Sequence, residues 1–172
     1  MDSSISDIES QDQHWMAQAM QLATEAEQAD EVPVGAILVL NNEIIGRGYN
    51  RPISAQDPTA HAEINALRDA ATRLGNYRLP GATMYVTLEP CAMCAGALVH
   101  ARVTRVVFGA AEPKAGAVIS RQQFFDSPWL NHRVKTESGV MQLACSEQLS
   151  EFFRRRRQVK RDAKAIERQQ PD

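Results

Sequence analysis

The chain has 172 residues, of which 44% are hydrophobic and 23% are charged, and its formal net charge is −2. It is long enough to bury one complete core, and its three cysteines do not form the even-numbered set of a secreted disulfide scaffold. The longest apolar run, residues 34 to 40, is too short to span a bilayer, and residues 1 to 13 lack the apolar core of a signal peptide. These features predict a cytoplasmic protein with a single folded domain and not a membrane or secreted one.

Hydrophobic periodicity predicts helices and strands that alternate along the chain. In chain order the predicted elements are a helix at 15–26, strands at 34–40 and 44–49 joined by a tight turn, a helix at about 61–74, a strand at 83–88, a helix at 91–100, strands at 105–109 and within 134–143, and a closing helix from 149. Thr59 is a candidate cap for the second helix. This order predicts an α/β fold in which helices cover a mostly parallel sheet that begins with an antiparallel hairpin.

The charge is distributed unevenly. No lysine or arginine precedes Arg47, whereas the C-terminal end carries a basic cluster: Arg154, Arg155, Arg156, Arg157, Lys160, Arg161, Lys164 and Arg168. This cluster predicts either a surface that binds a polyanion such as nucleic acid or a solvated helix end that keeps the protein soluble. Residues 1–12 are acidic and serine-rich, which predicts a disordered N-terminus.

Two cysteines lie three residues apart at the predicted start of a helix. Cys91 and Cys94 share one face there, so both sulfurs can reach one metal ion. The positive end of the helix dipole favours the thiolate, which is the form that binds metal. By itself this pattern fits a redox pair or half of a structural zinc site as well as a catalytic centre.

His61 and Glu63 open the preceding predicted helix and favour the catalytic interpretation. With Cys91 and Cys94, His61 makes three protein ligands, and a zinc ion with three protein ligands keeps its fourth position for water. Glu63 is then free to accept a proton from a water whose pKa the metal lowers from about 15.7 to about 7. Taken singly, His61 also fits a hydrogen-bonding residue at a helix start and Glu63 a charge that complements the helix dipole. The isolated Cys145 is interpreted as a small buried hydrophobe.

An H-x-E motif followed by P-C-x-x-C is the signature of zinc nucleobase deaminases. Four stretches, residues 32–36, 57–63, 85–97 and 131–134, also resemble the bacterial tRNA-specific adenosine deaminases. The resemblance extends over roughly residues 15 to 158. It implies a three-layer cytidine-deaminase-like fold with a central mixed five-stranded sheet, a zinc deaminase domain at 13–158 and a basic C-terminal tail at 159–172.

The resemblance also implies a function and a set of partners. The expected reaction is hydrolytic conversion of adenosine to inosine at the wobble position of a tRNA anticodon, with an arginine tRNA as the expected substrate. The expected assembly is a cytoplasmic homodimer with one zinc ion per subunit, which binds the anticodon stem-loop and no membrane. Alternatives are a deaminase of a free base or nucleotide, of guanine or cytidine type, and a zinc-stabilised nucleic-acid-binding module without catalysis.

Five further residues take roles by the same resemblance. Asn50 is expected to hydrogen-bond the target base, the Ala62 backbone to make a second contact with the base, and Val34 to form part of the pocket wall. Phe153 is expected to border the bound anticodon loop. Glu112 is expected to contact a ribose hydroxyl and stands where the family usually has aspartate. The glutamate side chain is one methylene longer, so its carboxylate lies further from the backbone. Without the resemblance, Asn50 reads as an ordinary turn residue.

Overall fold

The computed structural model describes residues 3 to 168. Its elements are α1 (Ser3–Gln28), β1 (Gly35–Leu40), β2 (Glu43–Tyr49), α2 (Ala62–Leu74), β3 (Thr83–Leu88), α3 (Ala92–His100), β4 (Arg105–Ala110), a short 3-10 helix (Phe124–Asp126), β5 (Lys135–Ser138) and α4 (Gln142–Glu167). The predicted alternation of helices and strands is confirmed. The strand that was expected within residues 134 to 143 is β5.

The five strands form one mixed sheet in the order β2-β1-β3-β4-β5. Strand β1 pairs antiparallel with both β2 and β3, whereas β3, β4 and β5 are mutually parallel. Because β2 and β3 both run opposite to β1, their carboxyl ends lie at the same edge of the sheet. Helices α2 and α3 follow these two strands and therefore start at that edge.

Helices cover both faces of the sheet. Side chains alternate along each strand, so Leu38 and Val86 pack with α2 and α3, while Ile37 and Tyr85 pack with α1 and the start of α4. The predicted three-layer α/β architecture is confirmed. No helix in residues 3 to 168 is long and apolar enough to cross a membrane.

Helix α2 packs against β2 at a distance that excludes a side chain. A Cβ atom on Gly48 would lie 2.3 Å from the Ala62 carbonyl oxygen, and one on Gly46 would lie 2.4 Å from the Ala66 carbonyl oxygen. Both distances are far inside van der Waals contact, so any side chain at these positions would push α2 away from the sheet. The two glycines therefore set the position of the first turn of α2, which carries Glu63.

The N-terminal segment differs from its prediction. Residues 1–12 were expected to be disordered, but α1 begins at Ser3, and only residues 1 and 2 of that segment lie outside the described residues. The reason is Asp12, which is buried and accepts hydrogen bonds from the Arg105 guanidinium at 2.9 and 2.7 Å and from the Tyr85 hydroxyl at 2.8 Å. These partners are distant in sequence, so the composition of the segment could not reveal them.

The proposed division of the chain at residues 12/13 and 158/159 falls within continuous helices. Residues 12 and 13 both lie in α1, and α4 continues without a break to Glu167. The described part of the basic tail is therefore an extension of the last helix of the domain. Residues 169 to 172 lie outside the described residues.

Replacing Asp12 by alanine is expected to lower the free energy of unfolding by about 3 kcal/mol. Removing one partner of a buried ion pair leaves the other charge without compensation, which costs about 3–5 kcal/mol; the lower end applies because the Arg105 side chain remains 25% exposed. Urea denaturation at neutral pH measures the change. Glu9→Ala, one turn earlier on an exposed position, is the matched control. A loss of less than about 0.5 kcal/mol, the range of ordinary surface substitutions, would contradict the structural role of Asp12.

Candidate active site

Three potential metal ligands meet where α2 and α3 begin. His61 is the N-terminal cap residue of α2, and Cys91 is the cap residue of α3, with Cys94 one turn further on. All three residues lie at the sheet edge where β2 and β3 end. Among residues 3 to 168 they form the single group of three or more His, Cys, Asp or Glu side chains with its ligand atoms within 4.8 Å of one another.

The spacing of these atoms fits a tetrahedral metal ion. The Nδ1 atom of His61 lies 3.7 Å from the Cys91 sulfur and 3.6 Å from the Cys94 sulfur. A zinc ion with bonds of about 2.3 Å to sulfur and about 2.05 Å to nitrogen would separate two such ligands by about 3.6 Å. Two thiolates and an imidazole are also the donor types that zinc accepts. The cluster can therefore hold the ion with three protein ligands, and Glu63 is not a member of it.

The pKa values of the two cysteine thiols are shifted in opposite directions. A hydrogen bond from Cys94 lowers the pKa of the Cys91 thiol to about 4, and the same bond raises the pKa of Cys94. The hydrogen bond with Cys91 also raises the pKa of His61 above its usual value. The lowered pKa of Cys91 favours the thiolate, which is the form that binds a metal ion.

Glu63 lies beside the cluster in the first turn of α2. The residue is 4% exposed, and this burial raises the pKa of its carboxyl group to about 7. Its other titratable neighbours are His61, Cys91 and Cys94. A carboxyl group whose pKa is close to neutrality can both accept and return a proton under working conditions. Placed next to the three ligand atoms, it is positioned to serve a water molecule held there.

The start of α2 is held by Asn50 and not by Thr59. The Asn50 side-chain oxygen accepts a hydrogen bond from the Ala62 N–H at 2.9 Å, and the Asn50 N–H donates to the Val34 carbonyl at 3.1 Å. Thr59 instead donates its N–H and its hydroxyl to Asp57. The structure thus brings Asn50, Ala62 and Val34 together. The Ala62 N–H is already engaged with Asn50, and the Asn50 NH₂ group has no protein partner in the described part of the chain.

Glu112 and Phe153 are not members of the metal cluster. The Glu112 carboxylate accepts a hydrogen bond from the Lys114 N–H at 2.9 Å, within its own turn. Phe153 lies on α4 with 43% of its surface exposed, and its ring centroid is 5.4 Å from that of Phe152.

Two buried carboxylates near the site were missed by the sequence analysis. Glu31 is fully buried and accepts a hydrogen bond from the Ser54 N–H at 2.6 Å, which anchors the loop between Asn50 and α2. Glu89 is 3% exposed and lies two residues before Cys91. The sequence did offer a signal for Glu89, because an acidic residue stands there between an apolar strand and Pro90. Glu31 follows other acidic residues and resembles them in sequence.

Comparison with known proteins assigns the family. Residues 10 to 157 match the model of the MafB19-like deaminases. Over 156 residues the chain is 51% identical to the tRNA-specific adenosine deaminase of Haemophilus influenzae, and the alignment covers 90% of each chain. The chain belongs to the tRNA-specific adenosine deaminase family. The family resemblance inferred from the motifs is therefore confirmed, and so is the expectation of an enzyme.

Solved structures agree with this family assignment. A structure from a study of A-to-I editing by tRNA:A34 deaminases at the wobble position of transfer RNA superposes with a TM-score of 0.77 at 47% identity, covering 79% of this chain and 99% of that one. A guanine deaminase from Nitrosomonas europaea superposes with a TM-score of 0.70 at 23% identity, covering 81% of this chain and 83% of that one. The second similarity establishes the shared fold alone.

Proposed function

We propose that this family member is a zinc-dependent hydrolytic deaminase that converts adenosine to inosine at the wobble position of a tRNA anticodon, with an arginine tRNA as substrate. The observation that carries the proposal is the cluster of His61, Cys91 and Cys94 with the buried carboxyl of Glu63 beside it. The site chemistry alone fits any ring that carries an amino group, and family membership restricts the proposed substrate to adenosine in tRNA. A deaminase of a free base or nucleotide is the second candidate, because the metal cluster and the Glu63 carboxyl do not by themselves select the substrate.

His61, Cys91 and Cys94 would hold one zinc ion per subunit. When bound, zinc acts as a Lewis acid that makes a water molecule nucleophilic near neutral pH. With three protein ligands, a coordination position stays open for that water. Buried Cys94 and half-buried Cys91 and His61 keep the ligand side of the site away from solvent while leaving one side accessible.

Glu63 moves the protons of the reaction. Its carboxylate accepts a proton from the attacking water as the water oxygen bonds to C6 of adenine, and it returns that proton to the ring nitrogen N1. A second proton, from the added hydroxyl, is passed to the amino group. The C6–N6 bond then breaks, ammonia leaves, and the C6 carbonyl of inosine remains. Burial, which raises the pKa of the Glu63 carboxyl group, suits this double role.

Asn50 would orient the base. The Asn50 side-chain oxygen accepts the Ala62 N–H, which fixes the orientation of the amide. The Asn50 NH₂ group would then donate a hydrogen bond to a ring nitrogen of the base. Ala62 therefore contributes by holding the Asn50 side chain. The Val34 carbonyl accepts the backbone N–H of Asn50, and the apolar side chain of Val34 would form part of the pocket wall. For Glu112, one carboxylate oxygen accepts the Lys114 N–H, and the other oxygen can accept a ribose hydroxyl.

The RNA would bind along α4. A groove of about 230 Å³ lies between α4 and the loop that follows Asn50, and its lining combines apolar side chains with cationic ones: Val32, Ile53, Phe152, Phe153, Arg156, Arg157, Lys160 and Asp30. An exposed aromatic ring with arginine and lysine beside it suits an unstacked base and its phosphate. We call this surface the α4 groove.

The homodimer and the cytoplasmic location are part of the proposal. The homodimer is expected from the family resemblance described above. The cytoplasmic location follows from the proposed tRNA substrate.

Incubation of the purified protein with total tRNA tests the function. Inosine at the first anticodon position of an arginine tRNA is the expected product, detected by sequencing or nucleoside analysis. Free adenosine, guanine and cytidine are assayed in parallel and are expected to remain unchanged. Deamination of a free base or nucleoside with no inosine in tRNA would instead favour the second candidate.

The basic residues of α4 are expected to contribute unequally to tRNA binding. Arg155 forms an ion pair with Glu27 of α1, and Arg156 lies 3.5 Å from Asp30, whereas Arg154 and Arg157 have no carboxylate partner among the described residues. Arg154→Gln/Arg157→Gln is therefore expected to weaken tRNA binding and to reduce the slope of log K against log salt by up to about 1.4, or about 0.7 per lost phosphate contact.

Fluorescence anisotropy over a salt series measures this effect. The matched control is Arg155→Gln/Arg156→Gln, which removes the same charge from paired positions and is expected to have the smaller effect on the slope. Truncation after Phe153 removes all of the cluster and is expected to weaken binding most. Unchanged affinity in the truncated protein would mean that the basic cluster only keeps the helix end solvated.

A further inference from the structure

The carboxylate of Glu89 accepts an unusual number of hydrogen bonds from one segment of chain. Glu89 follows the last residue of β3 and is 3% exposed. One carboxylate oxygen accepts bonds from the N–H groups of Val118, Ile119 and Ser120 at 3.1, 2.8 and 2.9 Å, and the other accepts from the Glu112 N–H at 2.9 Å and from the Ser120 hydroxyl. All five donors belong to residues 112 to 120, which we call the 112–120 segment.

The same segment lies directly against a predicted metal ligand. Gly116 forms an isolated antiparallel bridge with Cys91, and the Ala117 N–H donates to the Pro90 carbonyl at 2.9 Å. The chain from Glu89 to Cys91 thus contacts the 112–120 segment through its backbone as well as through the carboxylate. The segment therefore forms part of the border of the metal cluster at Cys91.

Steric packing around Gly116 supports the same arrangement. A Cβ atom on Gly116 would lie 2.4 Å from the carboxylate carbon of Glu89 and 2.6 Å from the Glu112 carbonyl oxygen. The segment therefore wraps the carboxylate with no room for a side chain. Four backbone N–H groups and one hydroxyl need an acceptor here, which a carboxylate supplies with both oxygens and an amide supplies with only one.

We propose that Glu89 is a positioning residue: its carboxylate holds the 112–120 segment against Cys91 and thereby fixes this border of the site for the incoming tRNA. The exposed side chains of Lys114 and Ile119 give the border a cation and an apolar group for the nucleotides next to the target base. This inference rests on the proposed function for its substrate. Its structural part, the attachment of the segment by Glu89, does not depend on that function.

Glu89→Gln and Gly116→Ala test the inference. Glu89→Gln keeps the shape of the side chain and removes one acceptor, whereas Gly116→Ala keeps the carboxylate and displaces the segment. In both variants, hydrogen exchange at the amides of residues 112 and 118–120 is expected to be at least about tenfold faster, the equivalent of one lost hydrogen bond to a charged group. The KM for tRNA is expected to rise by a similar factor, and this factor is larger than the one by which kcat falls. Bound zinc is expected to stay near one ion per chain.

Glu43→Gln, on an exposed position of β2, is the control and is expected to change none of these values. Unchanged exchange in both variants would overturn the attachment of the segment. Faster exchange with unchanged KM would overturn the positioning role and leave a purely structural one. If Glu89→Gln loses its zinc or does not fold, Gly116→Ala decides by the same two measurements. A wild-type protein that fails to deaminate tRNA would overturn the proposed function, while the exchange experiment would still decide whether Glu89 attaches the segment.

Discussion

Glu63→Ala is expected to slow the deamination of tRNA by about 10²- to 10⁴-fold, the usual contribution of a positioned group that transfers protons. The residue lies outside the ligand cluster, so zinc content and tRNA affinity are expected to remain at wild-type values. Single-turnover assays with an anticodon stem-loop measure the rate, and metal analysis measures the zinc. This combination of results distinguishes an enzyme from a nucleic-acid-binding module that zinc only stabilises.

Two further variants sharpen the test of Glu63. Glu63→Gln fills the same buried space but cannot exchange a proton, so it is expected to be as slow as the alanine variant. Glu43→Ala removes a carboxylate from an exposed strand position and is expected to keep full activity. Deamination at the wild-type rate in Glu63→Ala would overturn the proton-transfer mechanism.

Cys94→Ala is expected to abolish zinc binding and deamination together. Cys94 is fully buried, and its sulfur lies 3.6 Å from the Nδ1 atom of His61. Because of this burial, no exposed side chain can replace the Cys94 sulfur as a metal ligand. With two remaining ligands, the site loses the donor set that structural and catalytic zinc sites require. Metal analysis after dialysis is expected to fall from about one zinc ion per chain to near zero, with activity below detection.

Cys145→Ala is the matched control for this prediction. Cys145 is also buried, but it lies in α4 and packs against Gly109 on the opposite face of the sheet. Its replacement is expected to keep one zinc ion per chain and to cost only a modest amount of stability. Loss of zinc from Cys145→Ala, or its retention in Cys94→Ala, would contradict the assignment of the ligands.

The family of this protein could be recognised from its turns and motifs, because these short-range patterns are fixed by the chemistry of neighbouring residues. Asn41 and Asn42 both adopt positive φ angles, 52° and 60°, and they join β1 to β2 at the turn that the sequence predicted. The spacing of Cys91 and Cys94 fits one turn at the start of a helix, and His61 and Glu63 stand within three residues at another helix start. These features also indicated the donor set of the metal site.

The contacts that hold the site together could not be predicted in this way, because their partners are far apart in sequence. Asp12 binds Arg105 across 93 residues, Glu31 binds Ser54 across 23, and Glu89 binds Ser120 across 31. In the sequence Asp12 and Glu31 look like ordinary surface charges, and Glu89 is set apart only by its position between an apolar strand and Pro90. Burial decides otherwise, since a buried carboxylate must find hydrogen-bond donors wherever the fold supplies them.

The sequence by itself determined the order of helices and strands, and it predicted the ligand types and the proton-transfer group, because period, turn chemistry and motif spacing act within a few residues. Only the tertiary structure decided that Asn50 holds the Ala62 N–H, that α1 extends back to Ser3, and that the 112–120 segment borders Cys91. The physical reason is the sheet order β2-β1-β3-β4-β5, which brings the ends of β2 and β3 to one edge and sets the long-range contacts around them.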